Sequence, residues 1–130
     1  MDKRQVMKIL SQVYDPDYKD RSIVDLGLVT ENDVVIEGDK VEVTYTLTAA
    51  VCPFSAAIGL MIKHALETKL GVPATVKIKQ GHYQEKQVTE VLQDAAKSRE
   101  LMDKMKQFGV LDSCVRFDDE TTNIDRGQGI

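Results

Sequence analysis

The sequence contains no tryptophan and only three phenylalanines, three prolines and two cysteines in 130 residues. Each scarcity excludes something. Two cysteines, Cys52 and Cys114, are too few for a disulfide framework, and a reducing compartment keeps both as thiols. They also supply no C-x-x-C spacing of the kind that holds zinc or a complete cluster. No apolar run approaches the roughly 20 residues that span a bilayer. The opening M-D-K-R-Q-V carries charge without the apolar centre of a signal peptide, so a cytoplasmic protein with no membrane partner is expected. No run of Lys or Arg is present and the formal net charge is −4, which argues against nucleic acid as a partner, because phosphate binding needs a basic patch. There is no glycine-rich phosphate loop, no nucleophile elbow and no H-E-x-x-H.

What remains is an ordinary globular composition, 42% hydrophobic and 29% charged, of a size suited to one domain with a real core. The chain is organised around the stretch from Thr44 to Leu70. Val41, Val43, Tyr45 and Leu47 alternate with polar residues, the period of a half-buried strand ending at Thr48. Phe54, Ala57, Ile58, Met61, Ala65, Leu66 and Leu70 then recur at helical spacing. Cys52 sits where the period changes. Pro53 suits a first helical position, where its missing N–H would have had no partner, and this puts Cys52 at or near the N-cap. There the first-turn N–H groups and the helix dipole favour a thiolate.

Around this centre the remaining elements follow in order. Asp2 is a plausible cap for a helix whose face is Val6, Ile9, Leu10 and Val13, with Pro16 ending it. The run Ile23 to Val29 is apolar except for Asp25, read first as a carboxylate accepting local backbone N–H bonds. Gly38-Asp39 is a two-residue hairpin signal between Val34–Ile36 and the central strand. Gly71 and Pro73 stop the helix, and Ala74, Val76 and Ile78 give a third strand, parallel to the second through a right-handed crossover. One amphipathic helix is predicted from Val88 to Phe108, closed by Gly109. The polar segment 118–130 is expected to be a mobile tail. The predicted fold is α+β: a small three-stranded mixed sheet with helices packed on one face, a two-layer sandwich within a single domain of residues 1–117.

Other residues with chemical potential are placed more plainly. His64 falls off the apolar stripe of its helix and reads as a solvated surface histidine. His82 lies in a loop that could fold toward Cys52, as a base or as a metal ligand beside it. Cys114 reads as an inert thiol, and Met102 and Met105 as core or dimer contacts.

In their order and spacing, D-P-D at Asp15 to Asp17, the I-V-D-L-G-L-V run, the strand ending at Thr48 and Cys52-Pro53 before a helix resemble the SufT- and PaaD-like domain of iron–sulfur cluster assembly factors. The resemblance runs from about Val6 to Ile78. Family members usually carry D-P-E, so Asp17 keeps the carboxylate. Where they continue with a Pro-Pro-Trp loop, His82-Tyr83 stand here. The resemblance implies a maturation factor rather than an enzyme, with Fe–S client proteins and other assembly factors as partners. It also implies that Cys52 is the reactive, metal-contacting cysteine, with Thr48, Asp15 and Asp25 as the polar residues around it. Four ligands complete an ordinary cluster site, and one chain does not offer them. A labile cluster shared between chains of a homodimer, or a transient thiolate contact during transfer, therefore fits better. The residues alone leave two other readings open: a thiol enzyme or redox sensor with Cys52 as nucleophile, and an adaptor that only binds protein.

Overall fold

The computed structural model describes residues 2–15, 20–47 and 55–115. Helix α1 (Lys3–Leu10) begins at Asp2, whose Oδ1 accepts the Gln5 N–H at 2.8 Å. It stops earlier than the proline alone suggests. The cap is Ser11, whose hydroxyl donates to the Lys8 carbonyl. After it the chain turns extended, with Val13 bridging Val115 and Tyr14 bridging Ser22. Val6, Ile9, Leu10 and Val13 are all buried, as their spacing requires.

Strands β1 (Val34–Glu37) and β2 (Lys40–Tyr45) form the expected hairpin. Glu37 pairs with Lys40 across the two-residue connection, and Gly38 there has φ +61°, a backbone conformation that costs glycine little. Strand β3 (Ala74–Ile78) lies parallel to β2, from Val41 opposite Ala74 to Tyr45 opposite Ile78, giving the order β1-β2-β3. Alternation decides the two faces. Val34, Val41, Val43, Tyr45, Ala74, Val76 and Ile78 point into the core. Val35, Glu42, Thr44, Thr75 and Lys77 face outward, where the Lys77 ammonium lies 3.3 Å from Glu42. Among the described residues, the helices that meet the three-stranded mixed sheet therefore pack on its apolar face, the α+β two-layer arrangement expected. The strand is shorter than predicted. Beyond Tyr45 the chain leaves the β3 ladder, and the Thr46 N–H donates instead to the Leu28 carbonyl at 2.8 Å.

Helix α2 (Ser55–Leu70) makes the crossover. Its apolar stripe is wider than the periodicity suggests, because Gly59, Leu60 and Ile62 are buried along with Ala57, Ile58, Met61, Ala65 and Leu66. The sheet covers one side of it while α1 and two later helices cover the others. Lys63 and Glu67 pin its C-terminal end to β3. The ammonium bonds Glu67 Oε2 at 2.7 Å and the Ala74 carbonyl at 2.8 Å, and the same Glu67 oxygen accepts the Ala74 N–H.

The single helix predicted from Val88 to Phe108 is two, α3 (Glu85–Gln93) and α4 (Ala95–Gln107). Asp94 divides them. Its backbone is extended, and its Oδ1 accepts the Ala96 and Lys97 N–H groups, capping α4. A carboxylate at an N-cap favours a fresh start over continuation. Phe108, read as part of the apolar face, is 74% exposed instead. A short helix α5 (Val110–Cys114) follows the left-handed Gly109 and ends with Cys114 fully buried. The Cys114 carbonyl accepts the Tyr14 N–H, so the end of the described chain is tied to its beginning. The boundary drawn at residue 117 and the segment 118–130 lie outside the described residues.

One side chain joins the layers at the edge where β2 hands over to α2. Tyr45 is 1% exposed, and its hydroxyl donates to the Ser55 carbonyl at 2.7 Å. Its ring lies so close to Gly59 that a methyl group there would sit 2.8 Å from the Tyr45 oxygen and 3.1 Å from Leu92 Cδ2. Gly59→Ala is expected to lose about 1–3 kcal/mol by overpacking. Tyr45→Phe, which keeps the ring, is expected to lose about 1 kcal/mol for the bond alone. Urea unfolding of both variants checks the order of the two effects.

Candidate functional site

Parallel pairing sets where the site residues meet. Because β2 and β3 run the same way and end in register at Tyr45 and Ile78, the segments that leave them emerge from one edge of the sheet. In α/β crossovers this carboxyl edge is where chemistry collects. The segment from residue 48 to residue 54 leaves β2 there and contains Thr48 and Cys52. Both lie outside the described residues, as does Pro53. Its two described flanks are fixed, since Tyr45 and Ser55 are joined by the buried hydroxyl bond and the Lys79 N–H donates to the Tyr45 carbonyl at 2.7 Å.

The turn containing Asp25 arrives at this edge through the Thr46–Leu28 bond. Asp25 is exposed. Its Oδ2 accepts the Ser22 N–H at 3.3 Å while its own N–H donates to the Ser22 hydroxyl at 3.0 Å. This is the local backbone bonding that a carboxylate in such a run suggests, closed reciprocally with Ser22 in the manner of a capping box. Asp15 is adjacent through the same turn. It is 8% exposed, and its N–H donates to the Arg21 carbonyl beside the Tyr14–Ser22 bridge. Asp15 and Asp25 are thus tied to consecutive residues, Arg21 and Ser22. Pro16 and Asp17 of the D-P-D motif lie outside the described residues.

His82 leaves the end of β3 at the same edge. It is half-buried, and its Nδ1 accepts the Gln84 N–H at 3.0 Å, which puts the proton of the neutral ring on Nε2. Among the described residues no group of three or more His, Cys, Asp and Glu side chains is arranged to hold a metal ion. Cys114 is fully buried against the extended segment that follows α1, so its thiol is not offered to solvent.

A family model described as iron-sulfur cluster assembly protein matches residues 3–80, from the first helix through both parallel strands and the segment between them. The chain belongs to the iron–sulfur cluster assembly protein family. Its role is accordingly in iron–sulfur cluster assembly. A crystal structure of a domain of unknown function, DUF59, from Bacillus anthracis is similar at 24% identity with a TM-score of 0.54. The match covers 76% of this chain and 90% of that one, and it bears out the fold. No curated protein matches the sequence. The family match ends just past β3, so α3, α4 and α5 lie beyond the matched core.

Two residues at the site escape a reading of the sequence. Tyr45 has an ordinary inward strand position, and nothing local says that its hydroxyl reaches Ser55. Gly59 does leave a signal, because a glycine inside a helical pattern costs about 1 kcal/mol relative to alanine and so points to close packing. His64 is the opposite case. It is not a solvated surface residue, because α4 crosses over it and leaves it half-buried beside Lys106. Burial first, and the Lys106 ammonium second, hold its pKa below the ordinary 6.5, with Glu67 opposing. The unfolded chain therefore takes up this proton at higher pH than the folded one. Stability supplied by the neutral ring is complete above about pH 6.5 and is lost as pH falls through the lower folded value. His64→Gln should flatten the decline of stability between pH 7 and pH 5 while leaving stability at pH 8 nearly unchanged. Melting curves across that range provide the check.

Proposed function

We propose that this member of the assembly family works as a non-enzymatic carrier, receiving an iron–sulfur cluster and passing it to client proteins through the thiolate of Cys52. The observation that carries the reading is the Tyr45–Ser55 bond, which brackets the cysteine-bearing segment at the carboxyl edge of the sheet, within the residues the family model matches. Helix α2 runs for 16 residues from Ser55, and its first-turn N–H groups and dipole favour negative charge just ahead of it. A thiolate is both the cluster ligand and the nucleophile in ligand exchange. Thr48, Asp15 and Asp25 are the polar surroundings, and His82, on the loop leaving the neighbouring strand, is the candidate for mixed ligation. The cluster is cargo. One chain supplies fewer than four evident ligands, so it is held between two copies or between this chain and a partner of the assembly machinery.

Cys52→Ser and Asp25→Ala separate this from a purely structural role. Serine keeps the size and can still cap a helix, so stability should stay within about 1 kcal/mol of the parent, while cluster transfer to an apo client falls at least tenfold. Asp25→Ala loses one local, exposed carboxylate bond. It should cost about 1 kcal/mol and impair transfer only in proportion to unfolding. A fully active Cys52→Ser beside a folded but inactive Asp25→Ala would make the carboxylate the working group. After anaerobic reconstitution with iron and sulfide, visible absorbance should sediment with a dimer or a larger species. Absorbance travelling with a monomer would contradict the shared site.

A further inference from the structure

Away from the sheet edge, α2 and α4 enclose a groove of about 450 Å³. Its floor is apolar, built by Leu60 from α2 and the half-buried Met102 from α4. Charged side chains line its walls, and their pairing is uneven. On the α2 side, Lys63 and Glu67 satisfy each other and the backbone of Ala74. On the α4 side, Arg99 and Lys106 line the groove and form no ion pair among the described residues. They are seven residues apart on one helix, so both face the same way about 10 Å apart along the axis. Asp103 is the one carboxylate on these walls without an ion pair among the described residues. The wall charges then sum to +1, from Lys63, Arg99 and Lys106 against Glu67 and Asp103, within a chain whose net charge is −4. Protonation of His64 would add one more.

We propose that this groove is a docking site for an acidic peptide segment of a partner protein in polyproline II conformation, with two carboxylates three residues apart. Three residues of polyproline II helix make one full turn and advance about 9 Å, close to the separation of Arg99 and Lys106, so both carboxylates face the groove wall and the turn between them spans Met102. Charge complementarity decides the occupant. A neutral apolar segment would bury two cations without a partner, a costly arrangement, and a basic one would be repelled by both. The surface is built from α2 and from α4, which lies beyond the family-matched residues, and it makes no use of Cys52. The proposal therefore stands or falls separately from the cluster-carrier reading.

His64 reports on occupancy. The charged groups facing it are Lys63 and Glu67 from its own helix and Arg99, Asp103 and Lys106 from α4. A carboxylate placed among them favours the protonated ring, so binding tightens as pH falls from 7.5 to 6.

The test is fluorescence anisotropy with the full chain and a labelled synthetic peptide carrying two aspartates three apart with two prolines between them, which favour the polyproline II conformation. The control peptide has asparagine at both acidic positions. Expected are saturable binding of the acidic peptide, binding of the control about tenfold weaker, and a similar loss in the R99Q/K106Q double variant, the size that two partly shielded charge contacts provide. The His64 ring resonances should move on titration and report a raised pKa in the complex. Equal binding of the control, or unchanged binding by the double variant with His64 unmoved, would overturn the proposal. So would a parent dimer in sedimentation that R99Q/K106Q dissociates and that does not take up the peptide. That outcome would give the groove to a second copy of the chain.

Discussion

The bond from the Tyr45 hydroxyl to the Ser55 carbonyl is the constraint on which the candidate site depends. A tyrosine buried on the inner face of a sheet must place its O–H against an acceptor or bear the cost of leaving it unmatched. Here the acceptor is the first residue of the crossover helix, so satisfying one polar atom also closes the chain between β2 and α2. Gly59 makes this geometry available, because a side chain at that position would occupy the space of the ring. The same tyrosine carbonyl takes the Lys79 N–H, and a single residue thereby ties together the departure points of two loops. The family's shared core ends shortly after this point.

Two described segments reach that edge for separate reasons, and the segment bearing Cys52 is flanked by residues bonded to each other. The Asp25 turn is held by its own reciprocal bonds to Ser22 and by Leu28 against Thr46. The His82 loop follows from the parallel register of β3 on β2. Residues 48–54 are bracketed from both ends. The candidate site is thus carried on loops at the edge of a two-layer scaffold, a common placement for binding residues. The helices after β3 serve another purpose. Together α3 and α4 pack on α2 and create a charged groove that the core alone would not have.

Much of this architecture is legible in the amino acids because its signals are local. The Gly38-Asp39 hairpin, the switch of period around Cys52 and the Gly71–Pro73 stop each lie within a few residues of the structure they dictate, and together they specify a strand–helix–strand crossover. The α3–α4 break is also local, in the form of Asp94 followed by Ala-Ala-Lys. An unbroken run of apolar spacing across it, from Val88 to Met105, masks the cap. The end of β2 at Tyr45 is different, because it is accompanied by a bond to a distant segment, Thr46 to Leu28. His64 and Phe108 depart from their pattern for a related reason. Which face of a helix is covered depends on how the next helix crosses it, and periodicity carries no information about that angle. At the candidate site, the cysteine and the two aspartates are visible as residues out of keeping with their surroundings, whereas Tyr45 is invisible because it obeys the strand pattern perfectly.

The proposed carrier role requires a reactive Cys52 thiolate, beside a Cys114 that is buried inside the fold. Alkylation of the native, reduced protein by iodoacetamide, followed residue by residue by mass spectrometry from pH 6 to 9, measures this directly. Cys52 should be modified first, with a rate that reaches half its maximum below the pH of about 8.5 usual for free cysteine. Cys114 should stay unmodified until the chain unfolds. Equal rates at the two positions, or protection of Cys52 in the native state, would contradict the mechanism.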